Sequence, residues 1–96
     1  SPYPAITYDL NFIVDEPVQW ADLSTTVRAA CGEYFEQIEY RETYRDPQRD
    51  GAGRKRLLLS VRLRSQHETM TGDQADEVRR TIIADCESKH GAALLA

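Results

Sequence analysis

Apolar and polar residues alternate along residues 54–64, and this alternation constrains the fold more than any other feature of the sequence. The odd-numbered positions from 57 onward are apolar: Leu57, Leu59, Val61 and Leu63. The even-numbered positions are mostly polar, and four of the six are arginine. Successive side chains of a strand point to opposite faces, so a period of two predicts a β-strand with one buried face and one open face.

The arginines of this segment stand out because the chain as a whole is acidic. Its 96 residues contain 12 Lys and Arg against 16 Asp and Glu, a formal net charge of −4. Residues 41–64 carry eight bases and three acids, whereas residues 1–40 carry one base and seven acids. A basic segment inside an acidic chain indicates that positive charge is gathered on one surface.

Size and composition predict one small globular domain. A chain of 96 residues with 41% hydrophobic and 29% charged residues is ordinary for a soluble protein. No apolar run approaches the roughly 20 residues of a membrane span, and no signal peptide opens the chain. Two cysteines make no disulfide framework, which fits a reducing cytoplasm. The chain has no initiator Met, so we expect residues 1–96 to be a domain excised from a longer protein. We expect the isolated domain to be monomeric.

The first half of the chain predicts a strand, a helix and a second strand. The first strand covers residues 6–14 and precedes Pro17, which cannot continue a ladder. The first helix covers residues 20–31 and ends at Gly32. The second strand covers residues 37–45, which are rich in Tyr and followed by turn-forming residues.

The second half predicts a hairpin, a long helix and a short closing strand. Residues 46–53 read as a turn that joins the second strand to residues 54–64. Thr71 and Gln74 have the spacing of a helix capping box, and Gly91 is a natural stop. An apolar stripe marks the buried side of this helix: Ala75, Val78, Ile82 and Cys86.

The element order β-α-β-β-α-β predicts an α+β fold of the ferredoxin-like type. Its four-stranded antiparallel sheet carries both helices on one face and leaves the other face open. The leucine side of residues 54–64 then faces the helices, and the arginine side lies on the open face.

No constellation of catalytic or metal-binding residues is visible. His67 lies in a polar loop and His90 near a helix end, while Cys31 and Cys86 lie on the apolar sides of helices. Neither a metal-ligand spacing nor a phosphate-binding loop is present. We therefore expect a domain that is not an enzyme by itself and holds no cofactor.

A basic open sheet that carries aromatic residues is a candidate surface for single-stranded RNA. Bases stack on aromatic rings while Arg and Lys hold phosphates. The candidate contacts come from three strands: Thr7, Asp9, Asn11, Arg41, Glu42, Tyr44, Arg45, Arg56, Ser60, Arg62 and Arg64. The alternative is a solvated face whose arginines pair across strands with Asp9, Glu39 and Glu42. The aromatic motif of the common RNA-recognition module is absent from the first and third strands, so the chain is not that module.

Five blocks in series give the chain a family resemblance. They are PAITYDLNFIVDE, YFEQIEYRETYRD, KRLLLSVRLRS, TMTGDQADEV and the closing GAALL. Together they resemble the C-terminal ferredoxin-fold anticodon-binding domain of the bacterial phenylalanyl-tRNA synthetase β subunit, over nearly the whole chain.

The match is carried by short pairs and has clear departures. Asp9-Leu10, Lys55-Arg56, Met70-Thr71 and Gly91-Ala92 stand where the family has comparable pairs, and Tyr44 stands at the family's Tyr. The family pattern differs from this chain at five positions: Tyr8, Arg41, Glu42, Ser60 and Leu95. The resemblance therefore implies the same fold, with base and phosphate contacts redistributed among different arginines.

The resemblance implies a domain that grips the anticodon of phenylalanine tRNA. Its expected partners are this tRNA, the rest of the β subunit and the catalytic α subunit, which performs adenylation and aminoacyl transfer. The sites implied are Asn11, Arg41, Glu42, Tyr44, Arg45, Arg56, Ser60, Arg62 and Arg64.

The alternative is a regulatory or protein-interaction module of the same topology without RNA binding. A regulatory module favours a Gly-rich ligand loop after the first strand, where this chain has the acidic DEPVQWAD.

The facing of Tyr44 separates simple alternation from the family pattern. Simple alternation groups Tyr44 with Ile38 and Tyr40, toward the helices. The family pattern implies a change of phase, with a bulge near Arg41. We expect Tyr44 on or beside the open face as a stacking platform.

Overall fold

The computed structural model describes residues 2–96, which form seven regular elements and one short 3₁₀ turn. The elements are β1 (Ile6–Asp15), α1 (Trp20–Cys31), β2 (Phe35–Tyr44), α2 (Pro47–Asp50), β3 (Arg54–Leu63), α3 (Gly72–His90) and β4 (Ala93–Leu94), with the 3₁₀ turn at Gly32–Tyr34.

The strands form one sheet in the order β2-β3-β1-β4, and every neighbouring pair is antiparallel. The core consists of α1 and α3 side chains packed against alternate residues of the sheet. This arrangement confirms the predicted ferredoxin-like α+β fold with both helices on one face.

Strand β3 is buried on one side as its alternation predicts. Leu57, Leu59, Val61 and Leu63 are almost completely buried. They pair across the sheet with residues such as Phe12, which is also fully buried. Burial of these side chains against the helices supplies the main favourable term for folding.

The long helix begins and ends where the sequence predicts. The hydroxyl of Thr71 accepts a hydrogen bond from the Gln74 N–H at 3.1 Å, and the Gln74 side chain accepts one from the Thr71 N–H at 2.9 Å. Gly91 ends the helix in a left-handed conformation with φ of 63°. His90 Nε2 also lies 2.7 Å from Thr26 Oγ1, which links the end of α3 to the middle of α1.

The two cysteines are buried core residues, as predicted. Burial raises the pKa of the Cys31 thiol to about 11 and that of Cys86 to about 12. Residues 2–96 contain no group of three or more His, Cys, Asp or Glu side chains placed to hold a metal ion. In the same range, no helix is both long enough and apolar enough to cross a membrane.

The loop between β2 and β3 is more ordered than its turn-forming composition predicts. It contains the single-turn helix α2, whose first residue is Pro47. The carboxylate of Asp46 accepts a hydrogen bond from the Arg49 N–H at 3.2 Å. An acidic cap followed by proline at the first helical position favours a helical turn, so the same residues that suggest a turn also start this helix.

Strand β2 carries two irregularities, and the second one reverses the facing of its last residues. The pairing with β3 runs from Tyr40 opposite Leu59 to Glu42 opposite Leu58, so Arg41 is an extra residue in the ladder. Tyr44 consequently lies opposite Arg56. This confirms the predicted bulge near Arg41 and places Tyr44 on the same side of the sheet as the arginines of β3.

Candidate nucleic-acid interface

The sheet face opposite the helices is formed by side chains of β1, β2 and β3. Directly paired residues share a face, so the pairing register identifies the members of this surface. We call it the open face, and the register places on it Thr7, Asp9, Asn11, Ile13, Gln37, Glu39, Glu42, Tyr44, Arg56, Leu58, Ser60 and Arg62. Arg41, at the bulge, joins this face through its hydrogen bond to Ser60.

A chain of polar contacts crosses the centre of the open face. Arg41 Nε donates a hydrogen bond to Ser60 Oγ at 2.9 Å, and Ser60 Oγ donates to Asp9 Oδ1. Arg41 Nε also lies 3.2 Å from Glu39 Oε1. Ser60 lies on the open face, as its position in β3 predicts, but is only 6% exposed. It lies under Arg41 at the middle of the sheet, where it orients the guanidinium.

A concavity of about 450 Å³ lies beside this chain of contacts. It is lined by Asp9, Leu10, Asn11, Arg41, Glu42, Leu58, Leu59 and Ala96. Asn11 Oδ1 is buried and accepts no hydrogen bond from any residue in the range 2–96.

Arg56 is the most enclosed arginine of β3. Its Nε and Nη2 donate hydrogen bonds of 2.7 and 2.9 Å to the two carboxylate oxygens of Asp50. The Arg56 side chain is 11% exposed and that of Asp50 4%. The pairing lowers the pKa of Asp50 and raises that of Arg56. Arg56 lies on the open face, as its position in β3 predicts, but the hairpin loop folds over it and covers most of its side chain.

Tyr44 is one of the most exposed large hydrophobic residues among residues 2–96, and Arg56 packs against its ring. The guanidinium carbon of Arg56 lies 5.3 Å from the centroid of the Tyr44 ring, within cation–π range. The tyrosine itself is 44% exposed. One side of the ring is therefore held by the protein while much of its surface is open.

Arg62 and Arg64 share one carboxylate at the other end of β3. Arg64 donates to both oxygens of Glu36 at 2.6 and 3.2 Å and also to the carbonyl oxygen of Tyr3. Arg62 lies 3.7 Å from the same carboxylate. The side chain of Arg62 is 46% exposed and that of Arg64 19%. Hydrogen bonding from Arg64 lowers the pKa of Glu36. Arg62 is thus the arginine of β3 most accessible to a ligand.

The predicted site residues fall into four groups. Asn11, Arg41 and Glu42 line the concavity, with Ser60 beside it in contact with Arg41, whereas Tyr44 and Arg56 lie toward the hairpin. Arg62 and Arg64 lie at the opposite end of β3. Arg45 follows β2 and pairs with Glu16, away from the concavity.

The acidic partners of the arginines were largely missed from the sequence. Of the three expected partners, Glu39 pairs with Arg41 and Asp9 is reached through Ser60, while Glu42 forms none of the ion pairs within residues 2–96. The main partners are Glu36 and Asp50. Both lie in irregular backbone, at a bulge and in a loop, where strand alternation gives no signal.

Comparison with known proteins gives one consistent family. Residues 1–95 match the sequence model of the ferredoxin-fold anticodon-binding domain. The chain is 42% identical over 95 residues to a phenylalanine--tRNA ligase beta subunit of Rhodopirellula baltica, covering 99% of this chain and 14% of that protein. It is 34% identical over 94 residues to the corresponding subunit of Streptomyces avermitilis and 35% identical over 94 residues to that of Corynebacterium glutamicum. Both matches cover 98% of this chain and 11% of the relative. The chain therefore spans about one seventh or less of these relatives.

Proposed function

The chain belongs to the ferredoxin-fold anticodon-binding domain family, and on this premise we propose that it grips the anticodon region of phenylalanine tRNA. In this proposal it is one domain of a cytoplasmic phenylalanine--tRNA ligase beta subunit, as in the relatives that it matches. The rest of that subunit and a catalytic alpha subunit are its protein partners, and they carry out the ligation.

One observation carries the proposal: an exposed ring, Tyr44, shares the open face with a concavity that is lined by both apolar and polar residues. A loop nucleotide presents a flat base with polar edges and a charged phosphate. Proteins read such nucleotides by stacking the base on an aromatic ring and bonding its edge. The open face offers both kinds of contact.

Each part of the open face then has a role. Tyr44 stacks one base, and the concavity takes the edge of an unstacked base. The carboxylate of Glu42 accepts hydrogen bonds there, while the guanidinium of Arg41 donates. Arg62 contacts a phosphate because it is exposed and its nearest acidic partner is 3.7 Å away.

The proposal is tested by titrating a fluorescent anticodon stem-loop of phenylalanine tRNA with the 96-residue chain at low and moderate salt. We expect saturable binding, and weaker binding to a stem-loop of the same length with a scrambled loop. Tyr44→Ala is expected to weaken binding by about 5- to 150-fold, the range for losing one stacked base. Equal binding to both stem-loops, or no loss in Tyr44→Ala, contradicts the proposal.

A protein-interaction module without RNA binding is the second candidate. It is favoured by the ion pairs of the open face, where Arg41, Arg56 and Arg62 each have an acidic partner. Such internal compensation weakens the attraction for a polyanion. If the parent chain binds no stem-loop even at low salt, this second candidate is favoured.

A further inference from the structure

The contact between Tyr44 and Arg56 points to a different role for Arg56 from the one that its position on the open face suggests. Arg56 is an arginine on the face proposed for RNA, and the simplest expectation is that it binds a phosphate. A phosphate needs free guanidinium N–H groups. Asp50 already takes the Nε–H and one Nη2–H of Arg56, at 2.7 and 2.9 Å, so this edge of the guanidinium is closed to a phosphate, and the whole side chain is only 11% exposed.

The enclosure of the pair makes an exchange of partners unfavourable. The Asp50 carboxylate is 4% exposed, so releasing Arg56 to a phosphate leaves a covered carboxylate without its partner. An unpaired charge in such a position is strongly disfavoured. Arg56 is therefore not available for RNA in the way that Arg62 is.

The position of Asp50 is itself fixed by the hairpin loop. The Asp50 N–H donates to the Asp46 carbonyl at 2.8 Å, and the Gly51 N–H donates to the Pro47 carbonyl at 3.0 Å. These bonds close the turn of α2 and place the carboxylate at its end. The loop thus places the Asp50 carboxylate next to Arg56, the arginine that packs against the Tyr44 ring.

We propose that Arg56 is a positioning residue for Tyr44 and not a phosphate ligand. Asp50 fixes the guanidinium, the guanidinium supports the tyrosine ring, and the ring is presented in one orientation to a stacked base. Preorganisation of this kind raises affinity because less side-chain freedom is lost on binding. This inference rests on the proposed RNA-binding function and identifies how its stacking platform is held.

Two substitutions separate positioning from phosphate binding. Arg56→Lys keeps the positive charge but loses the two-pronged bond and the planar contact with the ring. Asp50→Asn removes a negative charge next to the proposed RNA surface. If Arg56 binds phosphate, Arg56→Lys has little effect and Asp50→Asn strengthens binding. If Arg56 positions Tyr44, both variants weaken binding.

The experiment measures affinity of the 96-residue chain for the anticodon stem-loop across a range of salt concentrations. We expect Arg56→Lys to weaken binding by about 5-fold or more, toward the loss in Tyr44→Ala. The slope of log K against log salt is expected to stay unchanged in Arg56→Lys. Combining Arg56→Lys with Tyr44→Ala is expected to add little to Tyr44→Ala alone, because the first residue acts through the second.

Matched controls come from an ion pair on the helix side of the molecule. Arg80 Nη2 donates to Glu77 Oε2 at 2.7 Å, and both side chains are well exposed. Arg80→Lys and Glu77→Gln change the same kinds of charge far from the open face, and we expect unchanged affinity. Circular dichroism spectra and urea midpoints of all variants show whether the fold is kept.

A measurement without RNA keeps the inference testable by itself. In NMR spectra of the free chain, the Arg56 Nε–H is expected to exchange with water far more slowly than the Arg62 Nε–H. Asp50→Asn is expected to abolish this protection and to shift the Tyr44 ring signals.

Equal exchange of the two arginines overturns the inference. An effect of Tyr44→Ala without any effect of Arg56→Lys or Asp50→Asn also overturns it, while leaving the proposed function intact. If Tyr44→Ala has no effect on binding, the proposed function is what fails.

Discussion

Glu16 and Arg45 form a two-pronged ion pair between the loop after β1 and the end of β2. Arg45 Nε lies 2.5 Å from Glu16 Oε1, and Nη2 donates to Oε2 at 2.9 Å. Lys55 Nζ donates to the Glu16 carbonyl at 2.7 Å and lies 3.4 Å from Oε2. Glu16 thereby joins three segments at one end of the sheet. The hydrogen bond from Arg45 is the largest factor that lowers the pKa of Glu16, to about 2.

Acidification is expected to destabilise the chain between pH 4.5 and about 2. The pKa of Glu16 is about 2 in the folded chain against an ordinary value of 4.5. Ionised Glu16 therefore stabilises the fold above pH 4.5, and this contribution is lost as the pH falls toward 2. The pKa values of Glu36 and Asp50 are lowered in the same direction. Urea unfolding midpoints measured from pH 7 to pH 2 test this expectation.

The control for the pH series is Glu16→Gln, which has no proton to gain in this range. We expect a lower midpoint than the parent at pH 7 and a smaller further decrease on acidification. Added salt is expected to reduce the difference at pH 7, because Glu16 and Arg45 are both partly exposed. Identical pH profiles for parent and variant contradict the assigned role of Glu16.

Two neighbouring leucines of β3 are expected to differ in their contribution to stability. Leu59 is 1% exposed and faces the helices, so Leu59→Ala leaves a cavity and is expected to cost about 2–5 kcal/mol of unfolding free energy. Leu58 lies on the open face at the concavity, so Leu58→Ala is expected to cost clearly less. Chemical denaturation of both variants measures the difference. A larger loss for Leu58→Ala means that the strand faces the other way.

Arg62→Ala is expected to reduce the salt dependence of stem-loop binding. Losing one phosphate contact in single-stranded RNA lowers the slope of log K against log salt by about 0.7. Arg62 is the candidate because it is the most exposed arginine of β3. Arg80→Ala, on α3, is the matched control and is expected to leave the slope unchanged. An unchanged slope in Arg62→Ala rules out its proposed contact with phosphate.

Both cysteines are expected to be unreactive in the folded chain. Cys31 and Cys86 are buried, and burial raises their thiol pKa values to about 11 and about 12. Since the thiolate is the reactive form, a thiol reagent at pH 8 is expected to label neither residue in buffer and both in concentrated urea. Stoichiometric labelling of the native chain within minutes is the contrary result.

The isolated chain is expected to activate no amino acid. The Gly-containing segment 50–53 lies in the hairpin loop after α2, and no Gly-Lys-Ser or Gly-Lys-Thr sequence follows it. We expect no phenylalanine-dependent exchange of pyrophosphate into ATP by the purified chain, with a complete phenylalanine--tRNA ligase as the positive control. Exchange above background that increases with the amount of chain contradicts this expectation.

The order, type and facing of most elements follow from local patterns in the sequence. Leu57 to Leu63 reveal a strand because period-two burial is a local property of extended backbone. Thr71, Gln74 and Gly91 mark the ends of α3 because caps are satisfied by residues a few positions away. The bulge at Arg41 was predicted only through the family pattern, since plain alternation places Tyr44 on the wrong face.

Which side chains of the open face a ligand can reach depends on the three-dimensional packing around them. Arg56 and Arg62 are equivalent in the alternation of β3, yet Arg56 is covered by Asp50 and Arg62 remains exposed. The difference depends on the positions of two carboxylates: that of Asp50 at the end of α2 and that of Glu36 at the bulge of β2. Ion pairs between segments depend on how those segments pack in three dimensions, whereas hydrophobic alternation is a property of neighbouring residues in the chain. The strand was therefore predictable from its residues, but the accessibility of each arginine to a ligand was not.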